Sequence, residues 1–144
     1  MDPAPYTGEA GIFDAVMFYQ IYKPARSFFG AVTDSITAQQ FRDSVTFQWD
    51  RLPDATRRAM MNVSATHDTP RLLTCLDNPG PYKVGASGRD NNAYNTGPPR
   101  DDTRRRAALY RLWEYTTIGA PHIWNGDELG MWGADDPECR KPLW

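Results

Sequence analysis

Long apolar runs are missing from this sequence. Nowhere do about 18 to 20 consecutive apolar residues occur, so no segment reads as a membrane-spanning helix. The opening stretch, Met1 to Gly11, has neither a basic start nor an apolar core, and no export signal is expected from it. Cysteine is scarce: Cys75 and Cys139 form no C-x-x-C, and neither histidine stands at metal-ligand spacing to them. No zinc or other metal site is expected, and the redox compartment stays open. A large excess of charge is also lacking. The net charge of −2 provides no global field for nucleic acid. The one basic cluster, Arg104 to Arg106, follows Asp101 and Asp102 and reads as a solvated helix face. Repeats of about 20 to 50 residues are absent too, which excludes solenoids and propellers. Neither a cofactor, a nucleic acid nor a membrane is an expected partner.

What is present suits a globular α/β chain. Of the 144 residues, 40% are hydrophobic and 24% charged, a balance that argues against disorder. The run IFDAVMFY, Ile12 to Tyr19, is β-branched and aromatic and predicts a buried strand. Pro24 then suits a first helical turn, with a short helix over Ala25 to Val32 and Phe28 and Phe29 packed inward. Thr37 and Gln40 have capping-box spacing, and Phe41, Val45 and Trp49 recur every four residues along one face. A short helical piece is expected over Asp54 to Arg58, and MMNVSAT, Met60 to Thr66, predicts a second strand.

That strand runs into His67-Asp68-Thr69-Pro70. Asp68 or Thr69 there suits a helix cap, with Pro70 in the first helical position. Pro, Gly and Asn then crowd between Asn78 and Pro99, marking a long loop that contains Tyr82 and Tyr94; it shapes the rim of a cleft or is an ordinary excursion. A longer helix is expected from Asp102-Thr103 to near Gly119, with Leu109, Leu112, Trp113 and Thr116 inward, and PHIWN, Pro121 to Asn125, predicts a third strand. Helices between successive strands favour parallel pairing. The polar residues at strand ends then lie where such sheets place their sites.

Three segments carry a family resemblance. NVSATHDTPRLLT resembles the seventh barrel strand of the α-amylase family of glycoside hydrolases, particularly its neopullulanase and cyclomaltodextrinase members. IGAPHIWNGDELGMWGADDPECRKPLW resembles the eighth strand with its following loop, and FDAVMFYQ the sixth. The resemblance implies a partial (β/α)8 barrel covering roughly strands six to eight. Residues 1–144 would form one C-terminal piece of the catalytic barrel, with no complete second domain.

The resemblance further implies a retaining hydrolase or transglycosylase acting on α-glucan oligosaccharides or cyclodextrins. Asp68 takes the place of the carboxylate that stabilises the transition state, and His67 that of its substrate-binding neighbour. An ionised carboxylate in a cleft stabilises the positive charge that develops on a sugar ring. Arg140 and Trp144 fall where the final loop borders the cleft, suited to hydroxyl bonding and ring stacking or to plain loop structure. Asp127 and Glu128, after the last strand, either contact substrate or hold loop backbone.

The nucleophile and the general acid/base would end strands four and five. MDPAPYTGEAG resembles the segment that follows the acid, so both are expected upstream of Met1 and the isolated chain is expected to be inactive. Glu9 is a poor substitute, because a loop ahead of a parallel strand lies at the opposite face. Asp14 suits a structural hydrogen bond. The missing upstream barrel half is then the partner needed for a full fold. The alternative from another class is a non-catalytic carbohydrate-binding or structural remnant of such a barrel.

Overall fold

The computed structural model describes residues 2–8, 11–30, 33–80 and 85–143. Three short strands, β1 (Met17–Phe18), β2 (Met61–Val63) and β3 (Ala120–His122), pair in the order β1-β2-β3. Both pairings are parallel, with Met17 opposite Met61 and Met61 opposite Ala120. Helices α1 (Tyr22–Phe29), α2 (Ala38–Asp50) and α3 (Asp54–Ala59) connect β1 to β2, and α4 (Leu72–Asp77) and α5 (Asp101–Thr116) connect β2 to β3. Parallel strands require such crossovers, as expected from the order of elements.

The strands are shorter than the apolar runs that contain them. Within Ile12 to Tyr19 only Met17 and Phe18 join the sheet, while Ile12 and Phe13 are 84% and 55% exposed. The preceding chain folds back on itself instead: Gly11 N–H donates to the Gly8 carbonyl and Phe13 N–H to the Tyr6 carbonyl, each at 3.0 Å. Gly11 permits this approach, since a Cβ there would lie 2.5 Å from the Thr7 backbone. β3 begins one residue earlier than expected and stops at His122, because Trp124 turns away to bond the Cys139 carbonyl at 2.8 Å.

The capping box forms as expected. Gln40 N–H donates to Thr37 Oγ1 at 3.2 Å, and Thr37 N–H to Gln40 Oε1 at 2.9 Å, which satisfies two otherwise orphaned donors. Phe41, Val45 and Trp49 are the buried face of α2. Phe41 stacks on Phe28 with ring centroids 4.6 Å apart, and Trp49 packs against Phe18 at 4.4 Å. Together with Ile21, Met60, Leu72, Leu76 and Tyr110 they form one core between the helices and one face of the sheet. Each such large side chain contributes about 1.5–3 kcal/mol by leaving water. Across the sheet, Met61 is 37% exposed.

Two helix readings need correction. α4 starts at Leu72, with Arg71 at its N-cap and no side-chain cap, so neither Asp68 nor Thr69 caps it. On α5 the buried residues are Thr103, Ala107, Tyr110 and Glu114; Trp113 packs against the core as expected, while Leu109, Leu112 and Thr116 are exposed. An ion pair reverses the apolar preference: Arg111 donates to Glu114 at 2.6 Å and makes burial of that carboxylate tolerable. Arg104 and Arg105 lie on the exposed side, as expected. The α1 reading extended to Ala31 and Val32, which lie outside the described residues.

Gly119 sets the approach of α5 to the sheet. Its φ is +103°, and a Cβ there would lie 2.8 Å from both Asn62 Oδ1 and the Met60 carbonyl oxygen. That carbonyl accepts from Ala120 N–H and so starts the β2–β3 ladder. Gly119→Ala is expected to destabilise the fold by about 2–4 kcal/mol, combining left-handed backbone strain with overpacking. The check is a lower denaturant midpoint at unchanged slope.

Candidate active site

Just beyond the C-terminal end of β2 the chain makes a turn built from threonine hydroxyls. Thr66 Oγ1 accepts from Asp68 N–H at 3.1 Å, and Thr69 Oγ1 accepts from Thr66 N–H at 3.0 Å. The Tyr19 hydroxyl, just past β1, bonds Thr66 Oγ1 at 2.9 Å. Short side chains thus satisfy the turn's backbone donors and leave His67 and Asp68 at its apex, half-exposed. His67 Nε2 and Asp68 Oδ2 are 3.5 Å apart.

Arg140 reaches the same place from the loop after β3. Its Nε–H donates to the His67 carbonyl at 3.2 Å and lies 3.0 Å from Asp136 Oδ1, and its guanidinium approaches Asp68 Oδ1 at 3.8 Å. The structure therefore brings together three of the four expected site residues; the fourth, Trp144, lies outside the described residues, as do Glu9 and Tyr82. Tyr94 is buried between Ala86 of its own loop and Ala134 of the loop after β3, so its ring offers no exposed stacking face. Asp14 is exposed, and among the described residues no hydrogen bond to its carboxylate is seen.

Three nearby side chains were not singled out from the sequence. Tyr19 buttresses the turn, and its place at the C-terminal end of an apolar run was the one signal the sequence offered. Trp124, with its ring centroid 6.2 Å from that of His67, forms a wall beside the imidazole. Arg71 lies beneath. A carboxylate, an imidazole, a guanidinium and an indole at one strand end can bond sugar hydroxyls and lie against a sugar face. Among the described residues no cluster of three or more metal-ligating side chains occurs.

Beneath the turn lies a buried ionic network. Arg71 Nη1 donates to Asp127 Oδ1, and Arg111 Nη2 to Asp127 Oδ2, both at 3.1 Å. Arg111 Nη1 also donates to Ser64 Oγ at 2.5 Å. The Asp127 backbone is partly open to solvent, but its carboxylate is only 1% exposed. This residue holds the loop, as does Glu128, whose Oε2 accepts from Gly126 N–H at 2.8 Å.

Burial lifts the Asp127 carboxyl to about 6 against the pull of Arg111 and Arg71. Burial likewise raises the Glu114 carboxyl, with Arg111 opposing, and lowers the His122 imidazole, with Arg111 adding to that shift. A raised carboxyl contributes stability below its unfolded value near ~3.9, and that contribution is lost as pH rises through the folded value. The depressed His122 has the opposite sign, losing its contribution as pH falls. Subtracting the pH–stability profile of Asp127→Asn from that of wild type isolates Asp127. The difference is expected to fall by about 3 kcal/mol from pH ~4 to above pH ~6. A difference that rises across this window would contradict the assignment.

Comparison with known proteins places this arrangement. No family model matches the chain. It is 33% identical over 129 residues to a cyclomaltodextrinase of Geobacillus thermopakistaniensis, covering 90% of this chain and 18% of that protein. To neopullulanase 2 of Thermoactinomyces vulgaris it is 30% identical over 132 residues, covering 91% and 18%. Among solved structures, the cyclic α-maltosyl-(1→6)-maltose hydrolase of Arthrobacter globiformis superposes with a TM-score of 0.72 at 23% identity, covering 99% of this chain and 27% of that one. The Nostoc punctiforme debranching enzyme superposes with a TM-score of 0.67 at 23% identity, covering 94% and 27%. The chain belongs to the α-amylase family of glycoside hydrolases, in its neopullulanase/cyclomaltodextrinase-like group. It spans less than a fifth of the length of these curated relatives.

Proposed function

We propose that the chain is the C-terminal part of the catalytic barrel of a retaining α-glucan hydrolase or transglycosylase, with β1, β2 and β3 as barrel strands six, seven and eight. Its substrates are the α-glucosidic bonds of starch-like oligosaccharides or cyclodextrins. Asp68 is the transition-state stabiliser, and His67, Arg140 and Trp144 bind substrate. The nucleophile and the acid/base, about 5–5.5 Å apart in retaining enzymes, belong to the upstream barrel half, so the chain alone is inactive.

The observation that carries this reading is the meeting of His67, Asp68 and Arg140 at the C-terminal end of the central strand. The names of the curated relatives and the maltose-bound form of the Arthrobacter globiformis enzyme support the substrate class. The sheet supports the need for an upstream half: Met61 stands open on the face away from the helices, and Phe13, Val16, Met17 and Tyr19 line a cavity of 430 Å³ beside β1.

The test is maltotriose hydrolysis by this chain alone and by the chain joined to its upstream barrel half. Turnover only in the joined protein is the expected result. Turnover by the isolated chain would mean that the catalytic groups have been misplaced. A joined protein that binds maltotriose without cleaving it would favour the carbohydrate-binding remnant.

A further inference from the structure

Arg71 is three positions beyond Asp68, yet its main attachments are to the loop that follows β3. Its Nη1 donates to the Asn125 carbonyl at 2.6 Å and to Asp127 at 3.1 Å; its Nη2 donates to the Lys141 carbonyl at 3.2 Å. Its backbone N–H bonds the Gly133 carbonyl at 3.0 Å. One side chain, 1% exposed, therefore ties both ends of this loop to the segment that bears His67 and Asp68. The Lys141 carbonyl it holds is on the residue next to Arg140.

We propose that Arg71, through Asp127 and the Lys141 carbonyl, is the positioning residue that sets Arg140 against His67 and Asp68. This rests on the sugar-binding role of those residues argued above. Helix capping alone does not require a guanidinium here, because an arginine side chain contributes nothing to the orphan N–H groups of α4. A planar fork with several donors is what three acceptors from two stretches of one loop do require. Lysine, with a single nitrogen, cannot span them. Nor is the pair well explained by stability: a buried ion pair often does no better than an apolar replacement, and the raised Asp127 carboxyl shows that ionisation here is unfavourable. Arg140 itself is half-exposed, and its other anchors are at its own end of the loop or on the turn it serves. Its placement therefore depends on what fixes the loop backbone.

The mechanism makes a specific claim about coupling. If Arg71 acts on sugar binding by placing Arg140, its replacement has nothing further to remove once Arg140 is gone. In the chain joined to its upstream barrel half, KM for maltotriose is expected to rise about tenfold in Arg140→Ala and about fivefold in Arg71→Lys. In the double variant it should rise about tenfold, not fiftyfold. Asp127→Asn keeps the side-chain volume and tests the same link should Arg71→Lys fold poorly; it is expected to behave like Arg71→Lys in both backgrounds. The Tm of Arg71→Lys should fall equally with and without Arg140, because the structural cost does not pass through it. Multiplicative KM effects would overturn the proposal and leave Arg71 a purely structural residue. Asp68→Asn separates the two levels of argument. Full turnover in that variant would sink the functional reading and this inference together, whereas lost turnover with multiplicative KM effects sinks this inference only.

Discussion

Asp68→Ala, in the chain joined to its upstream half, is expected to lower kcat by about 10²–10³-fold, the cost of removing one group that stabilises charge developing in a transition state. The carboxylate does not have to transfer a proton. Its Oδ2 lies 3.5 Å from the His67 imidazole and its Oδ1 3.8 Å from Arg140, so its charge is held in a polar, half-open site. The sugar acquires positive charge only as the bond breaks, so the loss should appear in kcat and kcat/KM together. Asp68→Asn, which keeps the shape and removes the charge, should lose nearly as much. His67→Ala should act mainly on KM, because a hydroxyl contact is present before and during the reaction. Steady-state kinetics on maltotriose decide this, and a rise in KM at unchanged kcat in Asp68→Ala would exclude the stabilising role.

Asp127→Leu is expected to cost about 3–5 kcal/mol of folding stability, the usual penalty for leaving one member of a buried pair behind. The charge left behind is that of Arg71, 1% exposed and then bonded to the Asn125 and Lys141 carbonyls alone among the described residues. Arg111 suffers less, since it keeps Glu114 at 2.6 Å and Ser64. Adding Arg71→Met to Asp127→Leu should recover most of the loss, because apolar groups of similar volume tolerate the site. Denaturant unfolding of wild type and the two variants checks this, and a double variant less stable than Asp127→Leu alone would contradict it. The recovered protein should still bind maltotriose weakly, which separates the network's effect on stability from its effect on placement.

Several of these features could be read in the sequence, and the exceptions share a cause. The box of Thr37 and Gln40 was legible because both partners lie within one helical turn. His67 and Asp68 were legible because a recognisable segment carries them, although the bare pair with Thr-Pro behind it looked equally like a helix cap. The inward face of α5 was misread except at Trp113, because Leu109 and Leu112 outrank Glu114 in hydrophobicity, while Glu114 is rescued by a neighbour whose direction no hydropathy pattern encodes. Arg71 escaped notice for a related reason: its partner Asp127 is 56 positions away. Whether an arginine is buried or solvated is decided by such distant acceptors. Tyr19 and Trp124 were hidden inside runs that looked like ordinary strand, because strand and site merge where these short strands end.

The parallel sheet also governs the order in which the chain can become structured. Val16 and Met60, which meet at the joint of β1 and β2, are 44 positions apart, and Asn62 reaches the Ile118 carbonyl across 56. No strand can pair with its neighbour in sequence until a whole helical crossover has been made, so folding waits on long-range pairing and is slow. On a ribosome adding about 5–20 residues per second, β1 waits about 2–9 s for β2. In the chain without its upstream half, Phe18 and Ile21 have no sheet to cover them during that interval. Nascent chains that lack the upstream half, arrested before Met60 emerges, should be cut readily by protease through the β1 to α2 segment, and protection should grow once β2 and β3 have emerged.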